Sequence, residues 1–452
     1  MEQTLTCSIE LNKLTKRQVR ILKETRIYLA SVLSYLQDVV IKEEDTIFSL
    51  SNNKERLAFM ERLLQRTKNN EAPAYPDFDT LFPQLPSYHR RALINKVLGH
   101  YTSFLSNERN WKEAHDLASS ECRSFKKKKP ALGSAKALAI SFYQDAMYRM
   151  EGNRLFLKVR IRNTWDWIEF SLADRDVRYL EGCMLRGEIQ SPALSKRYGK
   201  YYLDFPITYK TTLSNEPLLC RKALGVDLGI NTPVVCSLID ASGTVYGRRF
   251  ISLPAEKDRM ERLINRAKRI RKASGQTAHL AKINTKINGI KLNYARQIAS
   301  RTARTAKELH ADVVVMEYLS DLKKSASNGE KLHHWMKRRI QEKIVDQCHL
   351  YGIRVAFVNP KNTSKLAFDG SGEVIRSAKN FSLCTFSNGK QYHCDLNASL
   401  NIAARYFHRE LLKSVPERES WWVSAKVSNL IKRTNCTLSS YRELFKFYVN
   451  NF

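Results

Sequence analysis

The stretch that decides the fold is residues 224–230, LGVDLGI. It predicts a buried strand, 223–227, that ends in Asp227 with a glycine on either side of the acid. Neighbouring glycines let a phosphate and a metal ion approach the backbone closely, and hard divalent cations prefer carboxylate oxygens. The motif alone does not settle the chemistry, because a strand-end aspartate before a hairpin also occurs in kinase-like and purely structural settings. Asp227 is therefore a candidate that needs partners.

Two further acids follow. The motif at residues 313–319, VVVMEYL, lies on an apolar strand predicted at 312–317 that closes on Glu317. Carboxylates are rarely buried unless they are paired or bind a metal. Residues 394–405, CDLNASLNIAAR, begin a helix near Asp395, which taken alone could be an ordinary N-cap. Acids from a first strand, a later parallel strand and a final helix are what a nuclease of the RNase H class needs to hold two Mg²⁺ ions about 3.5–4 Å apart. We predict that Asp227, Glu317 and Asp395 are catalytic residues and magnesium ligands.

The segments around these motifs alternate between strand and helix patterns. Further strands are predicted at 234–239, 244–250 and 354–358, and helices at 254–310 and 334–351. Such alternation is typical of an α/β core.

The N-terminal half has a different character. Residues 14–122 show helical periodicity, whereas period-two segments dominate after residue 125. Strands are predicted at 154–161, 166–172, 177–185 and 200–209, with an N-terminal strand at 4–12 that could pair with them. This half is predicted to contain an all-helical module and a β-rich module.

The charge balance indicates a nucleic-acid partner. The chain of 452 residues has 76 Lys and Arg against 45 Asp and Glu, a net charge of +31. A polyphosphate backbone is the commonest partner for such an excess, although a solubility role or affinity for anionic lipid would also use it. Nine scattered cysteines, an odd number, argue against a secreted disulfide framework, and no apolar signal segment or membrane-spanning stretch is found. We expect a cytoplasmic, nucleoid-associated bacterial protein without a membrane partner.

Two basic segments are candidate nucleic-acid contacts. Residues 257–310 contain fifteen Lys or Arg against three acids. The candidates there are Arg266, Lys268, Arg269, Arg271 and Lys272, and a second group is Lys126, Lys127, Lys128 and Lys129. A charge run is usually a solvated face, but the first segment lies between two of the predicted catalytic acids.

The three acidic motifs resemble those of a known family. LGVDLGI, VVVMEYL and CDLNASLNIAAR are similar to the three RuvC motifs of TnpB, the nuclease of small insertion sequences, and of the compact type V CRISPR effectors. The similarity covers roughly residues 223–411 and includes 335–364, which resembles the segment before that family's zinc-ribbon insert. The resemblance implies a RuvC-like core, a guide RNA, target double-stranded DNA cut beside a short adjacent motif, two Mg²⁺ ions, and a monomer or dimer on one guide RNA.

One departure from the family concerns its zinc-ribbon insert, which usually carries two Cys-x-x-Cys pairs. Here the first pair is replaced by Lys365-Leu366-Ala367-Phe368, and only Cys384 and Cys394, with His393, remain. Structural zinc needs four ligands at tetrahedral geometry. We therefore expect no zinc.

The predicted fold class is α+β and multidomain, with an RNase H-like (RuvC) α/β core, a β-rich wedge domain and an all-helical recognition domain. The expected division is a wedge at 1–13 and 123–220, a recognition domain at 14–122, and a nuclease domain at 221–360 and 395–412 with a basic helical insertion at 254–310. A degenerate zinc-ribbon insert for target nucleic acid at 361–394 and a C-terminal tail at 413–452 complete it.

The predicted function is RNA-guided DNA cleavage at a single RuvC site, with a guide from a transposon end or a CRISPR array. Two alternatives stay open. The chain could be an RNA-guided repressor that binds without cutting, or a transposase on the RNase H fold, which would need no guide.

Overall fold

The computed structural model describes residues 1–68, 70–197, 199–229, 232–274, 277–319, 328–377, 380, 382–415 and 433–451. The chain divides into two compact units, Thr4–Tyr209 and Met1–Gln3 together with Lys210–Phe452. In this described part of the chain, no helix is both long and apolar enough to cross a membrane.

The first unit combines helices with two small sheets. Its helices are α1 (Lys16–Lys42), α2 (Glu44–Ser49), α3 (Asn53–Leu64), α4 (Asp77–Leu81), α5 (Ser87–Ser120) and α6 (Asp174–Met184). Its strands are β1 (Glu2–Glu10), β2 (Ile140–Ser141), β3 (Tyr148–Glu151), β4 (Arg154–Ile161), β5 (Thr164–Ser171), β6 (Glu188–Ile189), β7 (Ala193–Arg197) and β8 (Lys200–Lys210).

A capping box starts the helical part. The Thr15 hydroxyl accepts a hydrogen bond from the backbone N of Gln18, and the Gln18 side chain accepts one from the backbone N of Thr15. One face of α1, including Leu22, Leu29 and Leu33, is fully buried, as an amphipathic helix on a core requires.

The strands form a sheet in the order β1-β8-β7-β2, with β6 beside β8, and a three-stranded sheet β3-β4-β5. The N-terminal strand therefore pairs with the β-rich module. The strand predicted at 177–185 is wrong, because these residues belong to α6. Asp174 and Asp176 stabilise its first turn, and Val177, Leu180 and Cys183 bury one face at a spacing of three residues.

The second unit contains the α/β core. Its strands are β9 (Lys222–Asp227), β10 (Val234–Asp240), β11 (Val245–Ile251), β12 (Val313–Glu317), β13 (Arg354–Val358), β14 (Ile375–Arg376), β15 (Leu383–Thr385) and β16 (Gln391–His393). Its helices are α7 (Pro254–Ser274), α8 (Thr277–Glu308), α9 (Asn328–Leu350), α10 (Cys394–Ser414) and α11 (Leu438–Asn451).

The core sheet has the order β11-β10-β9-β12-β13. Pairing is antiparallel from β11 to β9 and parallel from β9 to β13. Side chains alternate between its faces. Leu224 and Met316 pack with α8 and α9 on one face, whereas Ala223 and Val315 pack with α10 and α11 on the other. This RNase H-like arrangement, the β-rich part and the all-helical part confirm the predicted fold class.

Candidate active site

The register of the core sheet brings the first two acids together. In the parallel pair of β9 and β12, Val226 is the partner of Met316. The next residues are Asp227 and Glu317, which end these adjacent strands. Both acids alternate onto the face of the sheet that α10 covers, because Gly225 and Val315, two residues earlier, face that helix.

Gly225 lets α10 bring the third acid to the same place. A Cβ atom at Gly225 would lie 2.1 Å from the carbonyl oxygen of Ser399, so the helix backbone rests directly on β9. Asp395 lies one turn before Ser399 on the same side of the helix. Its Oδ2 is 3.3 Å from where a Cβ atom of Gly229 would be, just beyond Asp227. The structure therefore brings all three predicted acids to one end of the sheet.

Asp395 is not the N-cap of α10. That position belongs to His393, whose Nδ1 accepts a hydrogen bond from the backbone N of Asp395 at 3.2 Å. The interpretation of this acid as the N-cap is therefore wrong.

The electrostatics show that the acids interact. Burial raises the pKa of Asp227, and the negative charges of Glu317 and Asp395 raise it further, while the charge of Lys337 opposes the shift. Burial also raises the pKa of Glu317, against the effects of the Thr363 hydroxyl and of the charges of Lys337 and Arg405. Close carboxylates disfavour each other's ionised form unless a cation lies nearby.

The donor set fits Mg²⁺, which prefers carboxylate oxygens. In the described ranges, no group of three or more His, Cys, Asp or Glu side chains is arranged to hold a metal ion as the side chains stand. The mutual repulsion of Asp227, Glu317 and Asp395 is the kind of charge that a divalent cation relieves.

A row of polar residues on α10 holds the loop that supports Glu317, and the sequence motifs did not predict this row. The Thr363 hydroxyl donates to Oε1 of Glu317. Asn401 holds the backbone of Thr363, since its Nδ2 donates to that carbonyl oxygen at 3.0 Å. The buried Arg405 donates from Nη1 to the carbonyl oxygens of Asn359 and Lys361, at 2.8 and 2.7 Å.

Asn397 completes this row by accepting from the backbone N of Phe368 at 2.7 Å. Asn397, Asn401 and Arg405 are spaced by four residues, so they share one side of the helix. That spacing within CDLNASLNIAAR was the available signal. It predicts a polar stripe, but the loop at 359–368 that the stripe binds is visible only in the fold.

Helix α9 also reaches the site. Gln341 donates from Nε2 to the carbonyl oxygen of Glu317 at 2.6 Å. Lys337 is half-buried one turn earlier on the same side of α9, and its charge acts on both strand-end acids. No sequence motif had singled out either residue.

The predicted nucleic-acid contacts are exposed. Arg266, Lys268, Arg269, Arg271 and Lys272 lie on the surface of α7. Lys126, Lys127, Lys128 and Lys129 are exposed in an irregular segment. Lys129 forms an ion pair with Glu108 at 2.8 Å, and the carbonyl oxygen of Lys127 accepts from Trp111 at 3.0 Å. The contacts themselves stay predictions.

The insert has a small apolar core. Strands β14, β15 and β16 form an antiparallel sheet. The buried residues are Ala367, Cys384, Phe386 and Cys394, and Phe368, Val374 and Tyr392 pack against them. Ala367 takes part at the place where the family's first cysteine pair is expected. That the chain binds no zinc stays a prediction, which metal analysis of protein purified without chelators would test.

The fold and the site together define the class of protein. It is a multidomain α+β protein with an RNase H-like core and three clustered acids. A model of the Cas12f1-like TNB domain matches residues 338–402, and a model of the Aq_aa04 family matches residues 5–161. TnpB-like protein aq_aa05 of Aquifex aeolicus is 24% identical over 235 residues, 47% of this chain and 76% of that protein.

TnpB-like protein ORF457 of Acidianus two-tailed virus is also 24% identical, over 40% of this chain and 41% of its own length. The structure of the mini-RNA-guided endonuclease CRISPR-Cas_phi3 aligns with a TM-score of 0.54 at 13% identity, over 89% of this chain and 92% of that one. These comparisons confirm the predicted resemblance to the TnpB family and the compact type V effectors.

Proposed function

We propose that this chain is an RNA-guided DNA endonuclease, which cuts target DNA beside a short adjacent motif at one site formed by Asp227, Glu317 and Asp395. The observation that carries the proposal is the convergence of three carboxylates from separate elements at one end of the core sheet. The net charge of +31 suits two polyphosphate partners, a guide RNA and double-stranded DNA. Base pairing with the guide would supply sequence specificity, so the protein needs mainly charge and shape.

The three acids have separate supports. Asp227, Glu317 and Asp395 would together hold two Mg²⁺ ions. When bound, such ions activate water and stabilise the leaving oxygen in an in-line displacement. The chain fixes Glu317 through Thr363 and Gln341, and it fixes Asp395 through the contact of α10 with β9. The exposed cations of α7 would contact nucleic-acid phosphates.

The decisive experiment compares Asp227→Ala with wild-type protein that carries its copurifying RNA. The variant is expected to keep the RNA and bind the matching DNA while losing cleavage. Asp240→Asn is the matched control, because Asp240 ends β10 at the opposite end of the same sheet. Cutting by Asp227→Ala at the wild-type rate would remove this residue from the active site.

The same preparation separates the alternatives. Guided binding by wild-type protein without cleavage in Mg²⁺ would identify a repressor, and joined rather than cut DNA ends without any RNA would identify a transposase. Sequencing the copurifying RNA would show whether the guide comes from a transposon end or a CRISPR array. The mass of the RNA-bound particle would distinguish a monomer from a dimer on one guide.

A further inference from the structure

The sheet edge beside the acids carries an exposed aromatic residue that the proposed mechanism does not use. Phe250 lies on the edge strand β11, and 51% of its surface is exposed. Val235 is the register partner of both Phe250 and Asp227. The three residues therefore form one row across three strands, and directly paired side chains share a face of the sheet. Two strand spacings of about 4.8 Å place Phe250 roughly 10 Å from Asp227.

Phe250 also contacts the segment that leads into the third acid. Its ring meets the imidazole of His393 edge to face, with 4.9 Å between centroids. His393 in turn accepts the hydrogen bond from the backbone N of Asp395. The aromatic ring is thus held against the start of α10 while half of its surface stays open.

Two arginines of α8 line a cavity together with this aromatic residue. An open cavity of about 400 Å³ is lined by Phe250, Ile251, Ser252, Arg301, Arg304 and Thr305, and it has no carboxylate in its lining. Arg301 and Arg304 are exposed and three residues apart on α8, so they share one side of the helix. Arg248, two residues before Phe250 on β11, is exposed as well. We call Arg248, Phe250, Arg301 and Arg304 the edge patch.

We propose that the edge patch binds the DNA strand being cut, with a nucleobase stacked on Phe250 and flanking phosphates held by the three arginines. An open aromatic face among cations is how proteins hold single-stranded nucleic acid, since stacking and phosphate contacts need no particular sequence. A membrane or protein partner would not explain the row shared with Asp227. At the stacked spacing of about 3.4 Å per nucleotide, the base lies within about three nucleotides of the scissile phosphate.

The position of the edge patch relative to the cut rests on the proposed function. The binding of single-stranded DNA to the edge patch can be tested without it. In Asp227→Asn protein without guide, a single-stranded oligodeoxynucleotide with 5-iodouracil is expected to crosslink to the tryptic peptide 250–257, which starts at Phe250. Phe250→Ala should remove that crosslink, and Phe250→Trp should restore it. Absence of the crosslink in the parent protein would overturn the edge patch, whether or not the chain is a guided nuclease.

The second arm uses the full guided complex. Phe250→Ala is expected to keep guided target binding and to lower the cleavage rate about 5- to 150-fold, the range for losing one stacked base, whereas Phe250→Trp keeps most of the rate. Tyr246→Ala is the matched control, because Tyr246 is another exposed aromatic residue of β11 and lies four residues away. Equal rates for Phe250→Ala and wild type would overturn the proposal. Loss of cutting by wild type itself would count only against the nuclease function.

Discussion

Replacing Gly225 by alanine would drive a methyl group into the backbone of α10. The new Cβ atom would lie 2.1 Å from the carbonyl oxygen of Ser399 and 2.8 Å from the backbone N of Ala403. Cβ atoms essentially never approach another atom closer than 3.0 Å, so the helix and β9 must separate by about 1 Å. Overpacking of this kind costs about 1–3 kcal/mol of folding free energy.

The same displacement moves an acid of the proposed site. Asp395 is carried by α10 and Asp227 by β9, so the shift separates two residues of the proposed site. A misplacement of about 1 Å can lower a rate by roughly 100-fold, and we expect that loss for the Gly225→Ala variant.

The assay combines thermal unfolding with single-turnover cleavage well below the unfolding midpoint, where the variant stays folded. Gly289→Ala is the matched control, because Gly289 is exposed in α8 and a Cβ atom there would have no described atom within 4 Å apart from its own stretch of helix. It should gain about 0.5–1 kcal/mol of stability and cleave normally. Wild-type stability and wild-type cleavage in Gly225→Ala would refute the close contact of α10 with β9.

Three further outcomes follow from the same structure. Thr363→Val removes the hydroxyl that donates to the second acid, so cleavage or its Mg²⁺ affinity should fall about 10- to 100-fold, while Thr363→Ser keeps both. Replacing Arg269, Arg271 and Lys272 with alanine should weaken binding to all nucleic-acid sequences. The slope of the logarithm of the binding constant against the logarithm of the salt concentration should become shallower by up to about 0.9 for each lost phosphate contact. An unchanged slope would exclude these residues from the interface. Burial lowers the pKa of His89 from 6.5 to about 3, so unfolded chains take up its proton first as the pH falls. This difference leaves the free energy of unfolding unchanged above pH 6.5 and lowers it as the pH falls toward 3, by about 2 kcal/mol at pH 5. In urea unfolding, the His89→Phe variant should lack this part of the pH dependence.

The elements that hold the acids could be predicted from the sequence because they are buried strands. The runs before Asp227 and Glu317 are continuously apolar, which marks central strands, and their predicted bounds agree with β9 and β12 to within one residue. The strand prediction at 177–185 was wrong because so short a segment fits two patterns. Val177, Tyr179 and Cys183 alternate as in a strand, whereas Val177, Leu180 and Cys183 follow the helical spacing that forms. The edge position of Phe250 could not be predicted, since a strand's neighbours depend on the order of the sheet.

Two different sides of helix α10 hold two of the acids, Asp395 and Glu317, in place. Neither contact depends on the cysteine pairs that the insert lacks. One side, at Ser399 and Ala403, rests on Gly225 and fixes Asp395 directly. The other side, at Asn401, holds the loop whose threonine supports the glutamate. Thr363, near the start of the insert, is therefore bound to the helix that follows the insert by a contact outside any metal site. The positions of these acids depend on the contacts of the helix, so the acids of the proposed site keep their places without the cysteine pairs.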